Sequence, residues 1–294
     1  TVSALATTPD QRTLLLARIG AGVSLWSLPD GQLLRSLDAP PPLQIGVDEP
    51  PHPEGAAVLS PSPDSTSVVV GSEARLLRYD LPTGHLQHEF PLGKAPVRAL
   101  TWTPDGRAFA VAYSFDPVVR LLAADDDHVV QAFRVDTEAT ALHFAPDDSL
   151  WIGDATGAVS GFAPDGSARG AAFRSGRSPV RSVGTLAGWV VSLTDDGVLS
   201  GWDPLGQRPP WSIATGAAYG AFAIAPDRPL VFVGSGHDVR LYQPTASVPL
   251  DSLPHPTAAV RAIAAAAGLV VSGDAIGRVA FWHLAAATAP TTAP

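Results

Sequence analysis

Seven times along this chain a short apolar run closes on an aromatic residue or Leu: Trp26, Tyr79, Leu122, Phe162, Trp202, Tyr242 and Trp282. The successive intervals are 53, 43, 40, 40, 40 and 40 residues. A period of about 40 residues carried by strand-like segments is the mark of a β-propeller. The repeat therefore predicts an all-β chain: a seven-bladed β-propeller of four-stranded antiparallel blades, with first strands innermost. Such a fold is a rigid platform for loops and shifts expectation from catalysis towards binding.

A second marker supports the same division. A Pro-Asp pair follows an apolar segment at Pro9-Asp10, Pro63-Asp64, Pro104-Asp105, Pro146-Asp147 and Pro226-Asp227. Pro presets φ for a turn and Asp can bond the backbone two residues on, so the pair reads as a hairpin turn between first and second strands. The fifth and seventh units lack the pair but keep their strands and spacing. The long first interval is explained by a Pro-rich surface insertion around Pro40-Pro41-Pro42 and Pro50-Pro51. The blades are expected near 1–37, 54–90, 96–133, 138–173, 179–213, 218–253 and 259–284, as one domain over 1–284. Residues 285–294, rich in Ala, Thr and Pro, read as a linker or tail, and the last blade is expected to lack a convincing fourth strand of its own.

Tyr79-Asp80-Leu81-Pro82-Thr83-Gly84 and Trp202-Asp203-Pro204 resemble the Trp-Asp signature of the WD-repeat family, and Val97-Arg98-Ala99-Leu100-Thr101-Trp102-Thr103-Pro104-Asp105-Gly106 resembles its first strand and turn. The resemblance covers essentially the whole chain, in a divergent, bacterial-like form. The family's buried His, Ser/Thr, Asp and Trp tetrad is not reproduced cleanly in any blade. Asp196 stands where its Asp falls in the fifth, and His52 and His255 stand near its His before the second and seventh. The resemblance implies scaffold or sensor roles, including modules joined to effector domains.

Composition bounds the alternatives. Hydrophobic residues make up 46% and charged residues 16%, ample for a packed core. The longest apolar stretch, Ala262 to Val271, is about ten residues, roughly half a membrane span, so no membrane insertion is expected. Zero Cys excludes disulfides and thiolate metal sites. Met is absent, and the chain reads as a processed or excised piece of a larger protein. One Lys beside eighteen Arg, with abundant Ala, Pro and Gly, suggests a GC-rich bacterial genome. The expected compartment is the cytoplasm, with periplasmic or secreted settings left open.

The linear motifs of catalysis are missing: no HExxH, P-loop or G-x-S-x-G elbow is found. His85 and His88 are three apart on a predicted strand, which places them on opposite faces. Asp125-Asp126-Asp127-His128 and Asp195-Asp196-Gly197 read as solvated turns. The expectation is no metal, no organic cofactor and no catalytic site. A formal charge of −9 without a basic run disfavours nucleic acid.

Blade alignment sorts the charges. The turns joining strands one to two and three to four place Asp10, Asp64, Asp105, Asp147, Asp148, Asp227, Asp30, Asp80, Asp125 to Asp127, Asp165 and Asp203 on one face. On the other, the residue after the leading apolar position of each first strand reads Ser3, Ala57, Arg98, Thr140, Arg181, Gly220 and Arg261. Arg98, Arg181 and Arg261, with Lys94 and Arg177, are thus the candidate binding residues at one channel mouth, suited to a protein partner or acidic peptide. The competing arrangement pairs each Arg with a nearby acid such as Glu73, Asp154, Asp195 or Asp274. The leading reading is a non-catalytic interaction or sensor module within a larger multidomain bacterial protein. The alternatives are a propeller enzyme of lactonase or quinoprotein type and a structural subunit of an assembly. The ring of first-strand positions offers Arg, Ser and Thr but no His or carboxylate for acid–base work.

Overall fold

Short apolar runs bounded by Gly, Pro and Asp fold as strands, and in blades 2 to 7 the second of them is buried along its whole length because both of its faces pack against neighbouring blades. The computed structural model describes residues 1–40, 58–73, 75–91, 95–126, 128–217, 220–244, 248–254 and 258–284. Blade 1 holds β1 (Val2–Thr7), β2 (Thr13–Arg18), β3 (Gly22–Ser27) and β4 (Leu33–Ser36). Blade 2 holds β5 (Val58–Pro61), β6 (Ser67–Gly71), β7 (Leu76–Asp80) and β8 (Leu86–Phe90). Blade 3 holds β9 (Val97–Trp102), β10 (Ala108–Tyr113), β11 (Val118–Ala123) and β12 (Val129–Arg134). Blade 4 holds β13 (Ala139–Phe144), β14 (Leu150–Asp154), β15 (Ala158–Phe162) and β16 (Phe173–Arg174). Blade 5 holds β17 (Val180–Leu186), β18 (Trp189–Thr194), β19 (Val198–Trp202) and β20 (Trp211–Ala214). Blade 6 holds β21 (Phe222–Ile224), β22 (Val231–Ser235), β23 (Asp238–Tyr242) and β24 (Asp251–Pro254), and blade 7 holds β25 (Val260–Ala266), β26 (Leu269–Asp274) and β27 (Val279–His283).

Each blade is an antiparallel meander in chain order. All seven periodic markers lie in third strands. The first strand of each blade touches that of the next, and β25 touches β1, so seven first strands close an inner ring. The architecture is the expected seven-bladed propeller. Blade 7 has three strands among the described residues; residues 285–294, the Pro-rich insertion, His52, Lys94, Asp127 and His255 lie outside them. The fourth strand of blade 4 is shorter than expected, only Phe173–Arg174. The long apolar stretch 262–271 resolves into a hairpin, because Ala267-Gly268 turns the chain between β25 and β26, with Gly268 at φ 68°.

The Pro-Asp turns hold as expected, with one addition. In Thr8-Pro9-Asp10, Ser62-Pro63-Asp64 and Thr103-Pro104-Asp105 the hydroxyl before Pro donates to the Asp carboxylate, at 2.5, 2.5 and 2.6 Å. The same carboxylate accepts the N–H two residues on, from Arg12, Thr66 and Arg107. The next residue after Asp has positive φ in blades 1 to 4: Gln11, Ser65, Gly106 and Asp148. Blade 5 replaces this turn with Ala187-Gly188, both at positive φ, the geometry of a two-residue hairpin.

Blades are joined by a repeated steric fit. The penultimate or last residue of the second strand is Gly71, Gly153, Gly234 or Gly273 in blades 2, 4, 6 and 7, and it receives the leading Val of the next first strand. A Cβ built at these glycines would lie 2.5 Å from Val97 Cγ1, 2.4 Å from Val180 Cγ1, 2.9 Å from Val260 Cγ1 and 2.6 Å from Val2 Cγ1. No Cβ fits there. The last of these pairs, Gly273 with Val2, joins blade 7 to blade 1 and closes the ring. Side-chain hydrogen bonds run alongside: Thr7 Oγ1 to Ala265 O at 2.9 Å, Trp102 Nε1 to Ser60 O at 2.8 Å and Thr140 Oγ1 to Val180 O at 2.6 Å.

Between blades the apolar faces form continuous clusters, for example Phe90, Trp102, Phe109 and Tyr113 between blades 2 and 3. Phe90 and Phe109 meet edge to face at 5.0 Å. Burying a side chain such as Phe109 stabilises by about 1.5–3 kcal/mol. Aromatic contacts extend through Trp151, Phe173 and Trp202, so the Trp residues pack as structure. Gly161 and Gly201 leave room for Trp151 and Trp211.

The inner ring contains a His that the sequence reading did not place there. His143 on β13 bonds Thr185 on β17 through Nε2 at 3.0 Å. Burial among the inner strands pushes its pKa down to about 4.

Two outcomes follow from this packing. Gly153→Ala is expected to lower stability by about 1–3 kcal/mol through overpacking, and adding Val180→Ala to recover part of that loss. Urea unfolding of the single and double variants gives the coupling. For His143, the folded pKa lies below the ordinary value near 6.5 of an unfolded His. The unfolded chain therefore gains a proton first, and stability falls as pH drops from about 6.5 to 4, by up to about 3 kcal/mol. His143→Gln is expected to flatten that part of the pH–stability curve, measured by urea unfolding at pH 7 and pH 4.5.

Candidate functional site

The start of the inner strands is not regular. On β1, β9, β13, β17 and β25 the second residue is skipped by the pairing register: Val2 pairs with Arg18 and Ala4 with Ala17, and the same slip omits Arg98, Thr140, Arg181 and Arg261. Each is a β-bulge residue. A bulge bends its strand and re-aims one side chain without disturbing the rest of the ladder. The three Arg sharing this position stand on blades 3, 5 and 7, at the end of the ring where second strands turn into third strands. Arg98, Arg181 and Arg261 are exposed beside buried Val97, Val180 and Val260.

Their partners differ. Arg181 Nη1 meets Asp195 Oδ1 at 3.4 Å, with the side chains 38% and 17% exposed, so the competing ion-pair arrangement is realised in blade 5. Arg98 and Arg261 form no ion pair among the described residues. Of the acids in the matching turns of their own blades, Asp116 is held by Arg120 at 2.6 Å and Asp274 by its own turn, while Glu73, in the turn of the blade before Arg98, forms no ion pair among the described residues. Asp154 and Asp274 are buried and bind their own turns: Asp154 accepts from Thr156 N and Ala158 N, and Asp274 from Ile276 N and Arg278 N. Thr140 at the same bulge turns inward to Val180 O and Gly153 O. Arg177 is exposed in the segment between β16 and β17.

Apolar side chains that sequence reasoning missed share this face. Phe115, in the turn between β10 and β11, is 88% exposed, and Ile276 and Ile19 in the matching turns of blades 7 and 1 are 60% and 54% exposed. Phe115 also has φ 62°, a conformation costly for a bulky L-residue. Ser114 N bonds Pro96 O at 2.8 Å, which holds this turn against the start of β9 and Arg98. The signal was present in Tyr113-Ser114-Phe115-Asp116-Pro117, an aromatic at a turn tip, but exposure depends on the strand register.

The opposite end carries the expected acidic turns, and many of these acids are tied locally. Arg169 meets Asp147 at 2.7 Å, Arg208 meets Asp203 at 3.1 Å and Arg228 meets Asp227 at 2.8 Å. Hydrogen bonds from Ser62 and Thr103 hold the Asp64 and Asp105 carboxyls below the usual range. The segment at Asp125 is a turn: Arg78 meets Asp125 at 3.3 Å and Asp126 accepts from His128 N. His85 lies in the turn before β8 rather than on the strand, where it pairs with Asp38 at 2.8 Å, while His88 packs on Phe90. Asp196 accepts from Thr194 Oγ1 at 2.5 Å, a local turn bond. Among the described residues no three His, Asp or Glu converge as a metal site, and no helix is long and apolar enough to cross a membrane.

Chemically, the Arg-bearing mouth offers fixed donors and apolar tips. His143, the one imidazole found on the inner strands, has a hydroxyl partner and no carboxylate to orient it for proton transfer. A mouth of this kind can bind; it holds no assembled acid–base pair among the described residues.

Comparison with known proteins agrees with this geometry. Residues 68–147 match the family model described as the anaphase-promoting complex subunit 4 WD40 domain. That span runs from the second strand of blade 2 to the first turn of blade 4, so the match follows the repeat. A search of curated proteins found no match. The seven antiparallel blades make the chain a seven-bladed β-propeller, and over residues 68–147 it is similar to a WD40 domain.

Proposed function

We propose that this propeller is a non-catalytic interaction module that captures an acidic, apolar-flanked protein segment at the Arg-bearing mouth of its ring. The observation that carries the reading is the pair Arg98 and Arg261. Both are exposed at re-aimed bulge positions, with no ion pair among the described residues, in a chain of formal charge −9. Uncompensated guanidinium groups in an acidic protein favour a carboxylate-bearing partner, which Arg can hold through two parallel hydrogen bonds. Arg181 and Arg177 flank the site, and Lys94 precedes β9 in sequence. Phe115 and Ile276 supply apolar contact beside the two free Arg. Aromatic and Arg side chains are the usual anchors of protein interfaces.

In this reading the module is a scaffold or sensor within a larger multidomain bacterial protein, in the cytoplasm. The chain's Arg-rich, Lys-poor composition and its resemblance to WD-repeat modules support that context. The acidic opposite face argues against nucleic acid as partner.

A fluorescein-labelled decapeptide of alternating Glu and Leu probes the site at low salt. Arg98→Ala with Arg261→Ala is expected to weaken its binding at least tenfold, while Arg12→Ala with Arg107→Ala, an equal charge change on the other face, leaves it unchanged. Equal affinity for the double variant and the parent chain overturns the reading. Phe115→Gly separates binding from folding. It is expected to weaken peptide binding and yet to unfold at slightly higher urea, by up to about 1 kcal/mol, because Gly accepts positive φ without strain.

A further inference from the structure

A cavity of about 220 Å³ opens between blades 3 and 4, on the acidic face and away from the Arg-bearing mouth. Its volume falls below the range of roughly 300–1,000 Å³ usual for small-molecule pockets, which suits it to one inserted side chain. Phe133 and Leu150 are buried and form the floor with partly exposed Phe144, while Asp105, Asp148 and Gln131 line the cavity with polar groups.

The polar groups have spare capacity. Asp105 spends Oδ1 on the Thr103 hydroxyl and Arg107 N–H. Its Oδ2 has only the Arg107 guanidinium, at 3.9 Å and 88% exposed. The Asp148 carboxylate accepts no hydrogen bond and forms no ion pair among the described residues. The other nearby cation, Arg169, is committed to Asp147 and Ser149. An apolar floor beneath two under-used carboxylates is complementary to a long side chain with an apolar stem and a cationic head.

We propose that this inter-blade cleft is a second binding site, which takes an arginine side chain from a basic peptide. The methylenes lie on Phe133 and Leu150, the planar guanidinium stacks on Phe144, and its N–H groups bond the carboxylates of Asp105 and Asp148. Arginine fits better than lysine because a planar fork can stack on a ring and bond a carboxylate at once. The propeller would then engage acidic and basic segments on opposite faces. The site shares no residue with the Arg-bearing mouth and stands or falls independently of it.

The test is titration of the isotope-labelled full chain with acetyl-Gly-Gly-Arg-Gly-Gly-amide at low salt, followed by amide chemical shifts. Saturable shifts are expected at residues 103–107, 131–133 and 144–150. The citrulline version, equal in shape and uncharged, is expected to lose them, and the Lys version to bind more weakly. Asp148→Asn is expected to reduce affinity about tenfold. Asn tolerates positive φ as Asp does, so this variant keeps the turn at φ 62°. Asp30→Asn, on a turn of blade 1, is expected to change nothing. Shifts spread evenly over all acidic turns, parent-like binding by Asp148→Asn, or equal binding of the Lys and Arg peptides would overturn the assignment.

Discussion

The structure depends on how closely neighbouring blades approach at the inner ring. Where Val2, Val97, Val180 and Val260 lead their strands, the preceding blade presents Gly273, Gly71, Gly153 and Gly234, and no Cβ would fit between them. Where blade 4 begins with Ala139 instead, the preceding blade's β10 carries Ala112 at the corresponding place. Small meets large, and volume is shared across the contact. This constraint sets how far each blade advances around the ring, and it acts at the narrowest radius, where a small displacement would propagate to every outer strand. Hydrogen bonds from Thr7, Trp102 and Thr140 to neighbouring inner strands fix the same contacts in direction.

With that ring fixed, charge is partitioned by end. Turns from first to second and third to fourth strands need residues that close on their own backbone, and Asp does so in most blades. The acidity of that face is thus largely a by-product of turn chemistry. Most of those carboxylates are spent on backbone N–H groups, hydroxyls or a local Arg. The other end closes its turns with buried Asp154 and Asp274 or with Thr194 and Asp196. It thereby leaves its exposed positions open to Arg and apolar residues.

The repeat made the fold legible, because strand spacing and turn residues are local signals that recur. Trp26, Tyr79 and Trp282 announce third strands, and Pro-Asp announces the turns before second strands. Ser62 and Thr103 were readable too, since a hydroxyl before Pro-Asp can close on the carboxylate. The bulges were not legible. Whether Arg98 is paired or skipped depends on the register of β9 against β10, which no single strand encodes. The same holds for Phe115, whose exposure is decided by the end of the ladder. His143 was not legible either, because the bulge at Thr140 shifts the alternation that decides which side chains of β13 meet β17. The cleft between blades 3 and 4 joins Asp105 to Asp148 and Phe133 to Phe144 across a boundary that only packing defines. Arg181 and Asp195 were the exception, a pair whose proximity follows from blade alignment alone.

The skipped residue at the head of five inner strands has a consequence for how such a chain can change over time. Ordinary strand positions are bound by inside–outside alternation, so a new side chain there must suit the core or the solvent. A bulged residue is released from that rule. The ladder resumes its register on either side whether the position holds Ser3, Arg98, Thr140, Arg181 or Arg261. The ring thus carries a circle of sockets whose contents can be exchanged without renegotiating the fold, and a new specificity could be written one socket at a time.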